Sequence, residues 1–167
     1  MGKILTLHEP RSARAYYLSG TWLPDTLYAL LRKHAAERGG AFALRDASRR
    51  LSWTELLDEV DRVAAELEQA GLHAGDRVSV WLPSGIDGVA VFLACSRNGY
   101  VCNPSLHETY TVEEVADLVA RIDSRALFVQ PGYGADAQQC DSLARLAPLP
   151  CLKAVFAVSA ADTALPA

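Results

Sequence analysis

The amino-acid sequence predicts an α/β fold with a mainly parallel sheet and helices on both faces. Short apolar runs alternate along the chain with longer segments of helical periodicity, and glycines separate many of these segments. The short runs are apolar at most positions, as is typical of strands buried on both faces. Alternation of such strands with helices favours parallel pairing through right-handed crossovers.

The chain has the length of one domain with a single sizeable core. It contains 167 residues, of which 50% are hydrophobic and 22% charged, within the range of ordinary globular proteins. We divide it into an N-terminal arm (residues 1–24), an α/β unit (residues 25–159) and a C-terminal tail (residues 160–167).

Apolar periodicity and turn residues predict the order of the elements. Steps of three and four residues indicate helices, and short apolar runs indicate strands. In chain order the predictions are a helix over 27–38, a hairpin over 41–46 and 50–53, a helix over 54–69, a strand over 77–82, a helix over 86–97, a strand over 100–103, a helix over 111–122, a strand over 126–129, a helix over 135–146 and a strand over 152–158.

Three of these helices carry further signals. Ser52 with Glu55, and Thr111 with Glu114, have the spacing of a capping box, so two helix starts are well specified. The helix over 86–97 is apolar on nearly every side, which predicts burial between layers rather than at the surface.

Charge and hydropathy exclude several classes of partner. The 16 basic and 20 acidic residues give a net charge of −4, and scattered basic side chains argue against nucleic acid. The longest apolar stretch is far shorter than the roughly 20 residues of a membrane-spanning helix. We see no secretory signal, so we expect a cytoplasmic protein.

The cysteines and histidines indicate neither metal binding nor nucleophilic catalysis. The four cysteines lack CxxC spacing and lie in or beside apolar segments, so we interpret them as reduced structural thiols: Cys95, Cys102, Cys140 and Cys151. The histidines lack ligand spacing. We therefore predict no metal site and no catalytic residue in this chain.

A ligand crevice is expected beyond the carboxyl ends of the strands. The loops at that position are residues 83–85, 104–110 and 130–132. The first opens a helix whose N–H groups could hold an anion, although every α/β fold has such turns. Gly132 and Gly134 lack the third glycine and the lysine that dinucleotide and phosphate loops need. These motifs alone leave the function open.

A series of short motifs resembles the N-terminal part of adenylate-forming ligases, the acyl-CoA and aryl-CoA synthetases. LSWTEL at residues 51–56 matches the family's Leu-Thr/Ser-aromatic-x-Glu-Leu segment. GDRV at 75–78, LPS at 82–84, RNGYV at 97–101 and then Pro104 follow the order of its Gly-Asp-Arg-Val, Leu-Pro-Asn-Ser and Arg-Ala-Gly-Ala-x-x-x-Pro segments. Order and spacing agree from about residue 27 to residue 129.

The sequence departs from the family pattern at several points. Gly85 follows Ser84, Asn98 stands where a small residue is usual, and about one extra residue precedes Thr111. The Ser/Thr/Gly-rich loop ending in Pro-Lys-Gly, the later motifs and the C-terminal lysine have no counterpart. We therefore expect a fragment that is inactive by itself and binds no cofactor tightly.

The resemblance implies a parent enzyme that joins a small carboxylic acid to AMP, using ATP and Mg²⁺, and then transfers the acyl group to CoA. This segment would supply the scaffold and one wall of the acyl or thiol channel. The residues that we assign to that wall are Pro83, Ser84, Ser105, His107 and Tyr110. Its partners would be the remaining domains of the same polypeptide, and an exposed apolar flank would favour self-association.

Two alternatives remain open. The chain could be a free-standing α/β binding or regulatory module, because a fold alone does not fix a function. It could also belong to an adenylation domain that loads a carrier protein instead of CoA. The acid substrate and the oligomeric state are not predicted by these residues.

Overall fold

The computed structural model describes residues 9–104 and 106–159. Six helices and six strands follow one another in this part of the chain. They are α1 (Pro10–Leu18), α2 (Leu27–Arg38), β1 (Phe42–Arg45), β2 (Arg50–Ser52), α3 (Trp53–Gln69), β3 (Arg77–Trp81), α4 (Ile86–Asn98), β4 (Val101–Asn103), α5 (Val112–Arg121), β5 (Ser124–Val129), α6 (Ser142–Leu146) and β6 (Ala154–Ala157).

Four strands form a parallel sheet in the order β4-β3-β5-β6. Strands β1 and β2 form a separate antiparallel hairpin. Because consecutive side chains of a strand point to opposite faces, Val78 and Val80 of β3 lie on one face of the sheet and Trp81 lies on the other. The predicted α/β architecture with a mainly parallel sheet is confirmed.

Each face of the sheet has its own hydrophobic core. Helices α3 and α4 cover the face that includes Val78, and α2 packs against both of them from outside. Helices α5 and α6 cover the face that includes Trp81. Helices therefore lie on both faces, as the sequence predicts.

Both capping boxes are present. The Ser52 hydroxyl accepts the Glu55 N–H, and the Glu55 carboxylate accepts the Ser52 N–H at 2.7 Å. Thr111 and Glu114 make the equivalent pair at the start of α5, with a distance of 2.8 Å from the Thr111 nitrogen to the carboxylate. Each box satisfies N–H groups that the first helical turn leaves free.

Helices α3 and α4 are joined by the side chain of Asn98. Its Nδ2 donates to the Ala64 carbonyl at 3.0 Å and to the Tyr100 hydroxyl at 3.3 Å. Arg97 reaches the Asp61 carboxylate of α3 at 3.1 Å, and Asp61 also accepts the Tyr28 hydroxyl of α2 at 2.7 Å. The asparagine that departs from the family pattern therefore has a structural role in joining two helices.

The prediction of a helix over residues 135–146 is wrong for most of that range, because α6 contains only Ser142–Leu146. The Asp136 carboxylate accepts the Val112 N–H at 2.9 Å at the start of α5, and the Asp136 carbonyl accepts turn hydrogen bonds. Asp141 then caps α6 through the Ala144 N–H at 3.1 Å. This segment therefore forms turns before the short helix begins.

The prediction that α4 is buried on nearly every side is also wrong for this chain. Ile86 and Ala90 are fully buried, but Val89 is 37% exposed and Phe92 is 42% exposed. Helix α4 therefore presents apolar side chains that nothing in the described part of the chain covers fully.

Candidate functional site

The crevice of the sheet lies between the carboxyl ends of β3 and β5. These strands are neighbours, yet β3 leads into α4 on one face and β5 leads toward α6 on the other. The two loops therefore diverge and leave an opening between them, which is the usual ligand position in open α/β sheets.

A cavity of about 580 Å³ occupies this opening. The loop after β3 contributes Pro83, Ser84 and Gly85, and the end of β5 contributes Gln130. The turn between β1 and β2 contributes the opposite wall, including Asp46 and Arg49. The structure therefore places two of the predicted site residues, Pro83 and Ser84, at the cavity.

Asp46 connects the hairpin to the first turn of α4. Its Oδ2 accepts the Ile86 N–H at 3.1 Å, while its Oδ1 accepts the N–H groups of Ser48 at 2.8 Å and Arg49 at 2.7 Å. Burial alone would raise the pKa of Asp46, but these hydrogen bonds outweigh it and hold that pKa well below its usual range. Asp46 is therefore a carboxylate that caps a helix distant in sequence.

The role of Asp46 was not predicted from the sequence. The Asp-Ala-Ser-Arg segment indicates a turn in which the aspartate bonds its own following backbone, because that local pattern depends only on spacing. Its second role depends on Ile86, which the chain brings near only in the folded state. No local signal gives that partner.

The charges of the cavity are mixed. Arg49 pairs with Asp87 at 2.5 Å and lies 3.7 Å from Glu59. The cavity lining thus contains the carboxylates of Asp46 and Asp87 and one guanidinium that is already paired.

This cavity does not fit the phosphate groups of ATP or CoA. The anion position at the start of α4 is occupied by the Asp46 carboxylate, and the lining carries one more negative than positive side chain. Within residues 9–104 and 106–159, no group of three or more acidic, histidine or cysteine side chains is arranged to hold a metal ion.

His107 and Tyr110 lie together in a second cluster, apart from the cavity lining. Their ring centroids are 6.0 Å apart, and the His107 carbonyl accepts the indole N–H of Trp81 at 3.0 Å. The ring of Tyr133 packs edge-on against Trp81 at 6.1 Å. Ser105, the fifth predicted site residue, lies outside the described part of the chain.

Gly134 allows this aromatic cluster to form. Its φ is +132°, and a Cβ placed on it would lie 2.5 Å from Cζ2 of Trp81 and 3.2 Å from the Tyr110 carbonyl oxygen. Only glycine adopts this backbone readily and leaves room for the indole. The packing role of Gly134 was not predicted, because the GxG pattern points only to a phosphate loop and gives no sign of the distant Trp81.

A second groove of about 430 Å³ runs beside β6. Phe128 and Phe156 stack in it with centroids 4.6 Å apart, and Glu59, Arg62 and Glu66 of α3 form its rim. Strand β6 pairs with β5 on one side, and no described strand pairs with its other side.

No helix in the described residues has the length and apolar character needed to cross a membrane.

Comparison with known proteins gives consistent matches. The family described as AMP-binding enzyme matches residues 31–166. The acyl-CoA ligase sidI of Aspergillus fumigatus is 35% identical over 101 residues, which cover 60% of this chain and 17% of that protein. The salicylyl-CoA synthase / salicylate adenylyltransferase of a Streptomyces species is 35% identical over 88 residues, which cover 53% of this chain and 16% of that protein.

A solved structure shows the same fold. Coronafacic acid ligase from Pectobacterium brasiliense superposes with a TM-score of 0.69 at 22% identity, covering 80% of this chain and 26% of that chain. The chain thus spans about a quarter or less of each protein that it resembles here.

Proposed function

Because the chain belongs to the AMP-binding enzyme family, we propose that it is the N-terminal part of an ATP-dependent acid–thiol ligase. The match over residues 31–166 carries this proposal, together with the small share of each relative that the chain spans. The complete polypeptide would convert a small carboxylic acid and ATP to an acyl-adenylate and pyrophosphate. The thiol of CoA would then displace AMP.

The charged groups for that reaction would lie in the rest of the polypeptide. Attack of a carboxylate on a phosphate brings like charges together, so backbone N–H donors, a lysine and Mg²⁺ are needed to stabilise the developing charge. The cavity between β3 and β5 offers the opposite environment, because Asp46 and Asp87 outnumber Arg49. ATP and Mg²⁺ would therefore bind elsewhere, and this chain alone would be inactive.

The present residues would form one wall of the acyl or thiol channel. Pro83 and Ser84 border a cavity that suits an uncharged group better than a phosphate. His107 and Tyr110 form a second wall element, held by the contact between the His107 carbonyl and Trp81, and we retain Ser105 with them. An acyl chain or the uncharged arm of CoA would fit such a wall, because neither brings a phosphate to it.

The remaining domains would pack on the groove beside β6. An edge strand with free N–H and C=O groups favours pairing with another strand. The stacked rings of Phe128 and Phe156 give that groove an apolar floor. When the chain is studied by itself, the same surface would promote self-association.

The channel role is tested by His107→Ala and Tyr110→Ala in the full-length polypeptide. His107→Ala keeps the backbone carbonyl that binds Trp81, so the fold should survive. We expect kcat/KM for thioester formation to fall, with salicylate as the first acid and CoA as the thiol. Gln69→Ala, on the exposed end of α3, is the control and should leave the rate unchanged. Unchanged rates in both channel variants would reject this role.

The fragment proposal is tested by ATP–pyrophosphate exchange with the 167-residue chain and a panel of carboxylic acids. We expect no exchange above background. Exchange by the chain alone would contradict the proposal that its catalytic groups lie elsewhere. A reading frame that ends after Ala167 would also contradict it and would favour a free-standing module.

A further inference from the structure

Helix α1 and the turn after it carry an apolar surface to which the proposed ligase reaction assigns no role. Five of the ten exposed large hydrophobic side chains in the described residues lie in this short stretch, and Leu18 is 79% exposed. The family match begins only at residue 31, so the stretch precedes it. These five side chains and two arginines of α1 form what we call the arm surface: Arg11, Arg14, Tyr16, Tyr17, Leu18, Trp22 and Leu23.

The turn after α1 gathers the aromatic rings of the arm surface. Gly20 adopts a left-handed conformation with a φ of +73°, and the Trp22 N–H donates to the Tyr16 carbonyl at 3.0 Å. The chain therefore folds back, and the indole lies 4.9 Å from the Tyr16 ring and 5.7 Å from the Tyr17 ring. All three rings remain exposed. Such rings combine an apolar body with a polar group, which suits the boundary between water and lipid.

Arg11 and Arg14 give the arm surface a positive charge. Both are exposed, and no ion pair within the described residues involves either guanidinium. No acidic residue occurs between positions 10 and 24. Residues 1–38 contain six basic and three acidic residues, whereas residues 39–167 contain ten basic and 17 acidic residues. The arm surface therefore belongs to the positively charged end of an acidic chain.

This combination of groups favours an anionic lipid surface over a second copy of the chain. Arg14 and Leu18 are four positions apart and therefore share one face of α1. An arginine stem can lie along apolar surface while its charged head stays in water or at phosphate groups. A symmetric contact between two arm surfaces would instead bring four arginines together without a carboxylate.

We propose that the arm surface binds reversibly to an anionic lipid bilayer, with α1 lying along the membrane surface. Leu18, Leu23 and the exposed ring edges enter the boundary between the head groups and the acyl chains. Arg11 and Arg14 contact the negatively charged head groups. This binding requires no ATP, acid or CoA, so it is independent of the proposed ligase reaction.

Vesicle co-sedimentation of the 167-residue chain tests this binding. One set of vesicles contains phosphatidylcholine alone, and the other contains phosphatidylserine as about a third of the lipid. We expect binding to the second set only, and the affinity should fall when the salt is raised from about 0.1 M to about 0.5 M. Trp22 is the reporter, because Trp53 is half-buried and Trp81 is fully buried. Its emission should shift to shorter wavelength on binding.

Two charge variants test the role of the arginines. Each basic side chain beside an anionic surface contributes about fivefold in binding, so Arg11→Gln/Arg14→Gln should bind about tenfold more weakly or less. Arg50→Gln/Arg121→Gln removes the same charge from exposed positions outside the arm surface. This control should bind as the wild type does, and a loss equal to that of the arm variant would overturn the proposal.

Leu18→Ser/Leu23→Ser tests the apolar part of the contact. It should weaken binding and reduce the emission shift, while unfolding at the urea concentration of the wild type because both side chains are exposed. The proposal is overturned if the chain binds neither set of vesicles, binds both equally, or binds phosphatidylserine vesicles equally well in the wild type and both arm variants. It is also overturned if the arm substitutions change only the oligomeric state in size-exclusion chromatography, which would indicate a protein partner.

Discussion

The Asp46 carboxylate lies 3.1 Å from the backbone nitrogen of Ile86, so the turn of the hairpin caps α4. Asp46→Ala removes the acceptor of the Ile86 N–H and also the acceptor of the Ser48 and Arg49 N–H groups. Loss of a helix cap costs about 1 kcal/mol, and we expect at least that decrease in the free energy of unfolding measured with urea. Asp58→Ala, which removes an exposed carboxylate from α3, is the control and should change stability little. A loss as small as that of the control would contradict the capping role.

The contribution of Asp46 should depend on pH. Because its pKa in the folded chain is lowered, the folded state favours the ionised form more than the unfolded state does. The stabilisation is therefore complete above the ordinary pKa of an aspartate and is lost as the pH falls through the lowered value. We expect the stability difference between the wild type and Asp46→Asn to shrink when urea unfolding is repeated at progressively more acidic pH. A difference that grew in acid would refute this linkage.

Substitution of two neighbouring glycines should have very different costs. A Cβ at Gly134 would lie 2.5 Å from Trp81, whereas one at Gly132 would have nothing within 4 Å. Both residues have positive φ, so each alanine carries backbone strain, about 1–2 kcal/mol at Gly132 with φ +84° and about 1–3 kcal/mol at Gly134 with φ +132°. Only Gly134→Ala adds a clash, which we expect to cost about 1–3 kcal/mol more. Thermal unfolding of both variants measures the difference, and equal losses would contradict the packing described for Trp81.

Asn98→Ala should loosen the contact between α3 and α4. The substitution removes the amide group that donates to the Ala64 carbonyl and to the Tyr100 hydroxyl. A lost hydrogen bond of this kind costs about 1 kcal/mol, which urea unfolding resolves. Gln69→Ala on the exposed end of α3 provides the control. If Asn98→Ala unfolds at the urea concentration of the wild type, this hydrogen bond contributes nothing measurable.

Local patterns predicted those parts of the fold that depend on neighbours in sequence. The capping boxes at Ser52 and Thr111 need only a fixed spacing, and both helices begin where that spacing indicates. Strand β5 is recognisable because its residues 126–129 are all apolar, although it begins two residues earlier at Ser124. The parallel pairing of the strands then follows from the alternation of strands with helices, whereas the order β4-β3-β5-β6 was not predicted.

The remaining features depend on contacts that spacing does not encode. Asp136 was expected inside a helix, but its carboxylate binds the Val112 N–H, 24 positions earlier in the chain. Asp46 is similar, because its partner Ile86 lies 40 positions later. At the candidate site, the sequence identified the loop of Pro83 and Ser84. It did not predict the charged wall that the hairpin adds to the cavity.

The separate hairpin of β1 and β2 has a consequence for the order in which the chain folds. A two-stranded ribbon is only marginally stable by itself in water, so its strands need an anchor. One such anchor, the first turn of α4, follows the hairpin in the chain and is therefore synthesised after it. The ribbon should therefore gain protection from hydrogen exchange only after the β3-α4-β4 unit has formed. Residues 42–52 would report on late folding although they lie early in the chain.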